Sequence, residues 1–390
     1  MDIPSSYLST YKQARKSDPV LADRYLEHTL IGDPLADAAV ASLPDDQREV
    51  HRLIQAGMDQ DAAILDQAPR ELRDFFTAVS APPEWFDPGS VYSGCRLFHR
   101  HSDLFLVGFV CDTIVQGFTT TISKSFLATG RLIDHGVRRL RQNNLHLMEI
   151  FIPGGLERDG DGWKMSVRIR LVHAQVRRQL LMSNEWDTAE LGTPLSAANI
   201  ALASVSFSAL LLQSVAKLGV HLDHESRASF MHVWRYTAWL IGVPESILFR
   251  NEAEAIELYR VGFNCEPPPD VEAIIMANML INSAPLVVGV TDPEERRKTA
   301  RYVFRVSRAL IGDEMADQLR FPKQRTAGLL WWIRWSRRLR AARSRLFAGG
   351  TQFPAGSRTF SELLNASALD HSTISYQMPD HLYSNESRTW

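Results

Sequence analysis

Most of the chain repeats its apolar positions with a period near 3.6 residues. In "DPLADAAVASLPDDQREVHRLIQAGMDQ", residues 33–60, apolar side chains recur at i, i+3 and i+4 behind Asp33. That pattern predicts helices, broken at Pro44. The stretches 103–118, 188–215, 229–243 and 270–284 are long enough for helices and lack the period-two alternation of strands. A short hairpin is expected only around "IPGGLERDGDGWKM", residues 152–165, where Gly and Asp pairs match hairpin-turn chemistry. The longest uncharged run, Leu191 to Ala216, could span a bilayer by length. Pro194, Asn199, Gln213 and repeated serines punctuate it, so it reads as a buried helix, apolar on most faces. The expectation is an all-α domain over residues 20–345, followed by a polar, loosely ordered tail over 346–390.

Composition adds exclusions. A chain of 390 residues with 45% hydrophobic content can bury a large core, and a net charge of −2 gives no overall attraction to nucleic acid. Cys95, Cys111 and Cys265 lie far apart, which argues against a zinc site or a disulfide framework and for a reducing compartment. The first residues, "MDIPSSYLSTYKQARKSDPV", lack the basic-then-apolar pattern of a secretory signal, so a cytoplasmic location is expected. One local surface stands apart. "LLWWIRWSRRLRAARSRLF", residues 329–347, has the composition of a helix lying on a membrane, or of a terminal helix that docks its tryptophans and solvates its arginines.

Candidate chemistry centres on "RIRLVHAQVRR", residues 168–178. On a helix, Arg170 at i−3 and Arg177 at i+4 share a face with His173, and Ile169, Val172, Val176 and Leu180 form an apolar stripe beside it. A haem would use both features, taking imidazole as axial ligand and guanidinium groups for its propionates. A histidine satisfied within the core would give the same local pattern. The pairs His99/His101 and His221/His224 lack further ligands at metal-site spacing. Trp234, Tyr236 and Trp239 read as core packing.

The segment around His173 resembles the haem-ligand motif of the latex-clearing protein and MpaB-type oxygenase family, the DUF2236 domain. Further stretches resemble that family in order: "GDPLADAAVASL", "TGRL" at 129–132, "GTPLSAANIALASVSFSALLL", "VWRYTAWLIGVPESIL" and "ALIGDEMADQL". The resemblance covers roughly residues 30–325. It implies an all-α, globin-like domain that binds haem b, with His173 as the proximal iron ligand and Arg170 and Arg177 near the propionates. It also implies chemistry with O₂ on a hydrophobic, isoprenoid or other alkene substrate.

On the distal side, "GVRRLRQNNLHLMEIF" supplies Arg139 where the family has an arginine, while Gln142 and Asn143 stand where rubber oxygenases carry a Lys-Thr pair. The sixth iron position is therefore expected to be open, filled by water, or taken by His146 or another neighbour. Rubber oxygenases also carry a glutamate ahead of the "TGRL" segment; here no Asp or Glu occurs between Asp112 and Asp134. Thr119, Thr120, Thr121 and Ser123 cannot replace it as bases near neutral pH. An oxygenase with another substrate or outcome is expected, or else a non-catalytic haem-binding or membrane-associated protein of the same fold.

Overall fold

The computed structural model describes residues 3–128 and 136–347, and every regular element among them is helical. The elements that build the site are α1 (Pro34–Ala41), α2 (residues 102–117), α3 (Gly136–Glu149), α4 (Asp161–Leu181), α5 (Ala197–Lys217), α6 (His224–Leu240), α7 (Glu252–Cys265), α8 (Val271–Val287), α9 (Pro293–Ile311) and α10 (Leu329–Phe347). Their starts are marked in the sequence. Asp33, Ser196, Asp223, Asn251, Asp270 and Asp292 each accept a backbone N–H of the first turn, and Pro34 and Pro293 open α1 and α9.

The expected hairpin does not form. Residues 152–160 make successive tight turns and α4 begins at Asp161. The glycines serve close approach instead: Gly155 N–H donates to the Ile152 carbonyl at 2.7 Å, and Trp163 N–H donates to the Gly155 carbonyl at 2.8 Å. A side chain at Gly155 would overlap the Glu149 carbonyl, and one at Gly162 would sit 2.8 Å from the same oxygen. Glycine supplies the missing volume that lets α3 turn straight back into α4.

Both long apolar helices widen midway. In α2 the turn Phe109–Thr113, and in α5 the turn Ser206–Leu210, are π-helical. Hydroxyls lie along these turns: Thr113 Oγ1 donates to the Phe109 carbonyl, Ser206 Oγ to Leu202 and Ser208 Oγ to Ser204. The two widened turns meet, with the Phe109 and Phe207 rings 5.1 Å apart. Of the apolar stretch that α5 carries, 83% is buried in the fold, as its composition predicts. Trp234 and Tyr236 are also buried, Tyr236 stacking on Trp239 at 5.7 Å and on Phe86 at 3.6 Å. The tail beyond residue 347 lies outside the described residues.

Candidate functional site

A cavity opens where α3, α4, α5 and α6 come together beside α2. It holds about 980 Å³ of empty space counting the part open to solvent, with about 120 Å³ in which the centre of a water-sized body can move. Ile169 and Val172 from α4, Phe207 from α5, Phe109 and Ile114 from α2, and Phe118 and Phe126 make its walls apolar. The polar side chains on the wall are Asn143, His146, His173 and Ser204, with the indole of Trp234. None of the described lining residues is an acid, a lysine or an arginine.

His173 thus lies on the cavity wall, half-buried. His146, on the neighbouring α3, joins it there. Its Nε2 lies 2.8 Å from Ser166 Oγ, and that hydroxyl donates its one proton to the Gly162 carbonyl at 2.7 Å. Nε2 must therefore be the donor, which leaves the lone pair of His146 on Nδ1. Burial pushes the His146 pKa down to about 4, so the ring is neutral near pH 7. The Trp234 Nε1–H is buried without a hydrogen-bond partner among the described residues. A wall carrying a buried indole donor and two imidazoles suits a ligand with acceptor atoms on a flat apolar body.

The arginines flanking His173 are engaged with carboxylates. Arg170 forks onto Asp33, Nε to Oδ2 at 2.5 Å and Nη2 to Oδ1 at 2.9 Å, and both side chains are nearly buried. Arg177 is buried beside Gly32, its Nε 3.5 Å from Asp37 Oδ2. Burial lowers the pKa of Arg177 and raises that of Asp37. Neither guanidinium lines the cavity. The "RIRLVHAQVRR" and "GDPLAD" segments therefore meet in space, their opposite charges clamping α4 to the start of α1. Helical spacing placed the arginines on the histidine's side, but the carboxylates that capture them come from more than a hundred residues away.

On α3, Asn143 reaches the wall, whereas Gln142 is buried beside it without lining the cavity. The Arg139 side chain and the "TGRL" segment lie outside the described residues. The hydroxyls at 119–123 serve local turns and a buried acid: Thr119 and Ser123 donate to the carbonyls of Gln116 and Thr120, and Thr121 donates to Glu266 through both N–H and Oγ1. Glu266 also accepts from Tyr25 at 2.6 Å and Tyr7 at 3.3 Å, and burial raises its pKa. Nothing local in the sequence marks Glu266. For Ser166 a signal existed, since it stands seven residues before His173 on α4 and so two turns along the same face. Of the other histidines, His99 is bound to the Phe151 carbonyl at 3.0 Å, while His221 and His224 are exposed. Among the described residues no three metal-binding side chains cluster.

Comparison with known proteins agrees with this geometry. The profile of the family described as "ER-bound oxygenase mpaB/B'/Rubber oxygenase, catalytic domain" matches residues 96–343. A rubber oxygenase of Streptomyces sp. (strain K30) is 22% identical over 307 residues, covering 75% of this chain and 72% of that protein. The solved structure of latex clearing protein LCP in the closed state superposes with a TM-score of 0.67 at 20% identity, covering 90% of this chain and 94% of that one. The chain therefore belongs to the mpaB/rubber-oxygenase catalytic-domain family, and it is an all-α enzyme of the oxygenase class.

Proposed function

We propose that the chain is a haem b-dependent oxygenase that acts with O₂ on a hydrophobic small molecule, of isoprenoid or other alkene type. The observation that carries this reading is the apolar cavity with His173 and a neutral His146 on one wall. Haem b, when bound, supplies the O₂ chemistry; the protein supplies binding, orientation and exclusion of water. His173 holds the iron. His146 keeps its proton at Nε2, fixed on Ser166, and presents Nδ1 as a lone-pair donor or a hydrogen-bond acceptor. The phenylalanines and isoleucines of the wall receive hydrocarbon and leave little room for water. Arg170 and Arg177, engaged with Asp33 and Asp37, anchor the ligand-bearing helix rather than the propionates.

Absorption spectroscopy of the purified protein tests the reading directly: it should show the Soret band of haem b at one haem per chain. His173→Ala should lose that haem while His99→Ala keeps it. Full haem content and an unchanged spectrum in His173→Ala would remove His173 as the ligand. The absence of any acid among the described lining residues favours a second reading, a haem-binding protein of the same fold with little catalysis. Consumption of O₂ with an alkene substrate separates the two.

A further inference from the structure

The rotation of α10 about its axis is fixed by what its inner face touches. Leu329 is buried, and Leu330 and Ile333 pack against the core. Arg334 Nε donates to the Lys217 carbonyl at 2.6 Å, and Arg337 pairs with Asp103 at the start of α2. With that face committed, the opposite one turns its largest apolar groups to water. Trp331 is 65% exposed, Trp332 54%, Trp335 50% and Leu339 41%, and the first and third indoles stack with centroids 6.2 Å apart. Scattered exposed leucines need no explanation; three adjacent exposed tryptophans on one helix face do.

Charge indicates what covers them. Residues 329–347 contain six arginines and no acid, and Arg338 is exposed beside the indoles. Indoles prefer the level of lipid headgroups, with the ring in the apolar boundary and the N–H toward water, and guanidinium groups pair with phosphates. An acidic protein partner would match the arginines but not three flat indoles together. The contact is peripheral, because among the described residues the helix apolar enough to cross a bilayer is α5, and that helix is buried. We propose that the Trp331–Trp332–Trp335 face of α10 docks the protein on the surface of an anionic phospholipid bilayer. α2 joins this face to the site: its first turn holds Arg337 through Asp103, and its later turns place Phe109 and Ile114 on the cavity wall. Delivery of a membrane-dissolved substrate along that route rests on the proposed function; the docking itself does not.

The test uses the full chain with vesicles of phosphatidylcholine alone or mixed with phosphatidylglycerol, read by co-sedimentation and by tryptophan emission. Binding is expected to the mixed vesicles, with a blue shift, and to weaken with added salt. Trp331→Ala/Trp335→Ala should lower partitioning about tenfold or more, and Arg338→Glu should lower it roughly tenfold at low salt. Both variants change exposed groups, so circular dichroism and haem content should remain those of the parent. Equal binding to neutral and anionic vesicles, or none to either, would overturn the proposal. So would a concentration-dependent dimer that the tryptophan variant abolishes, since the face would then be an interface between copies. Because vesicle binding is read without haem or turnover, failure here leaves the oxygenase reading standing, and loss of the haem reading leaves the docking testable.

Discussion

His146 and Arg170 show how a single side chain's partner decides its work. With its folded pKa near 4, below the ordinary histidine value of about 6.5, His146 stays neutral in the fold where the unfolded chain takes up a proton. The sign follows from proton binding: the unfolded state binds more, so the haem-free protein should lose stability as pH falls from about 6.5 toward 4, by roughly 3 kcal/mol in all. Denaturant midpoints measured across that window check it. His146→Phe should flatten the slope, and an unchanged slope would assign it to other groups. For Arg170, truncation to alanine leaves Asp33 buried and uncompensated, a loss on the order of 3–5 kcal/mol. If Arg170 or Arg177 instead held the propionates, the folded variants would lose about 1.5–3 kcal/mol of haem affinity each; haem titration should find affinity close to the parent's. His173 was legible as a candidate because an imidazole beside an apolar stripe leaves a local trace, and the structure puts it on the cavity wall. The partners of the arginines were not legible, because a long guanidinium side chain answers to whichever carboxylate the tertiary fold brings, and helical spacing cannot name it.

At the scale of elements, length and the lack of strand-like alternation announced α2, α5 and α6 of the cavity, and the errors lie where backbone does something unusual. The glycines at 154–162 look like hairpin turns from sequence, yet Gly155 and Gly162 are needed because the Glu149 carbonyl occupies the space of a side chain. Gly155→Ala should therefore destabilise the α3–α4 junction by about 1–3 kcal/mol or more. Gly117→Ala should fold normally, since nothing stands within 4 Å of the added methyl group. Thermal denaturation of the pair checks this, and equal melting temperatures would show that the junction can relax. The π turns in α2 and α5 leave no periodicity signal either, being one residue's widening inside long apolar helices. They nevertheless matter, for each sets a phenylalanine, Phe109 or Phe207, on the cavity wall.

For the molecule as a whole, the balance of buried acids against cavity walls bears on the proposed alkene chemistry. Two carboxylates are buried on or against segments that supply the wall. Asp112, its pKa pushed up to about 6 by burial, accepts from Gln116 and Ser214; Glu266 accepts from Thr121, Tyr25 and Tyr7. Each is held by hydrogen bonds, and neither lines the cavity. No carboxylate is thus on the described wall to take an allylic proton, and the imidazole of His146, its pKa pushed down to about 4, is a weak base, although the wall is apolar enough to admit a hydrocarbon chain. Gln142, which stands where the resemblance places the lysine of rubber oxygenases, is also off the wall. Two outcomes follow for the haem-loaded protein. It should cleave polyisoprene poorly or not at all, and the ferric form should take up cyanide or imidazole without first displacing a lysine amine. Incubation with latex, with aldehyde- and ketone-ended oligomers measured against time, tests the first; titration of the ferric spectrum tests the second. Brisk oligomer release from a protein whose resting spectrum is six-coordinate and low-spin would sink both, and would require the base and the closing ligand to come from the imidazoles of the wall or from residues outside it.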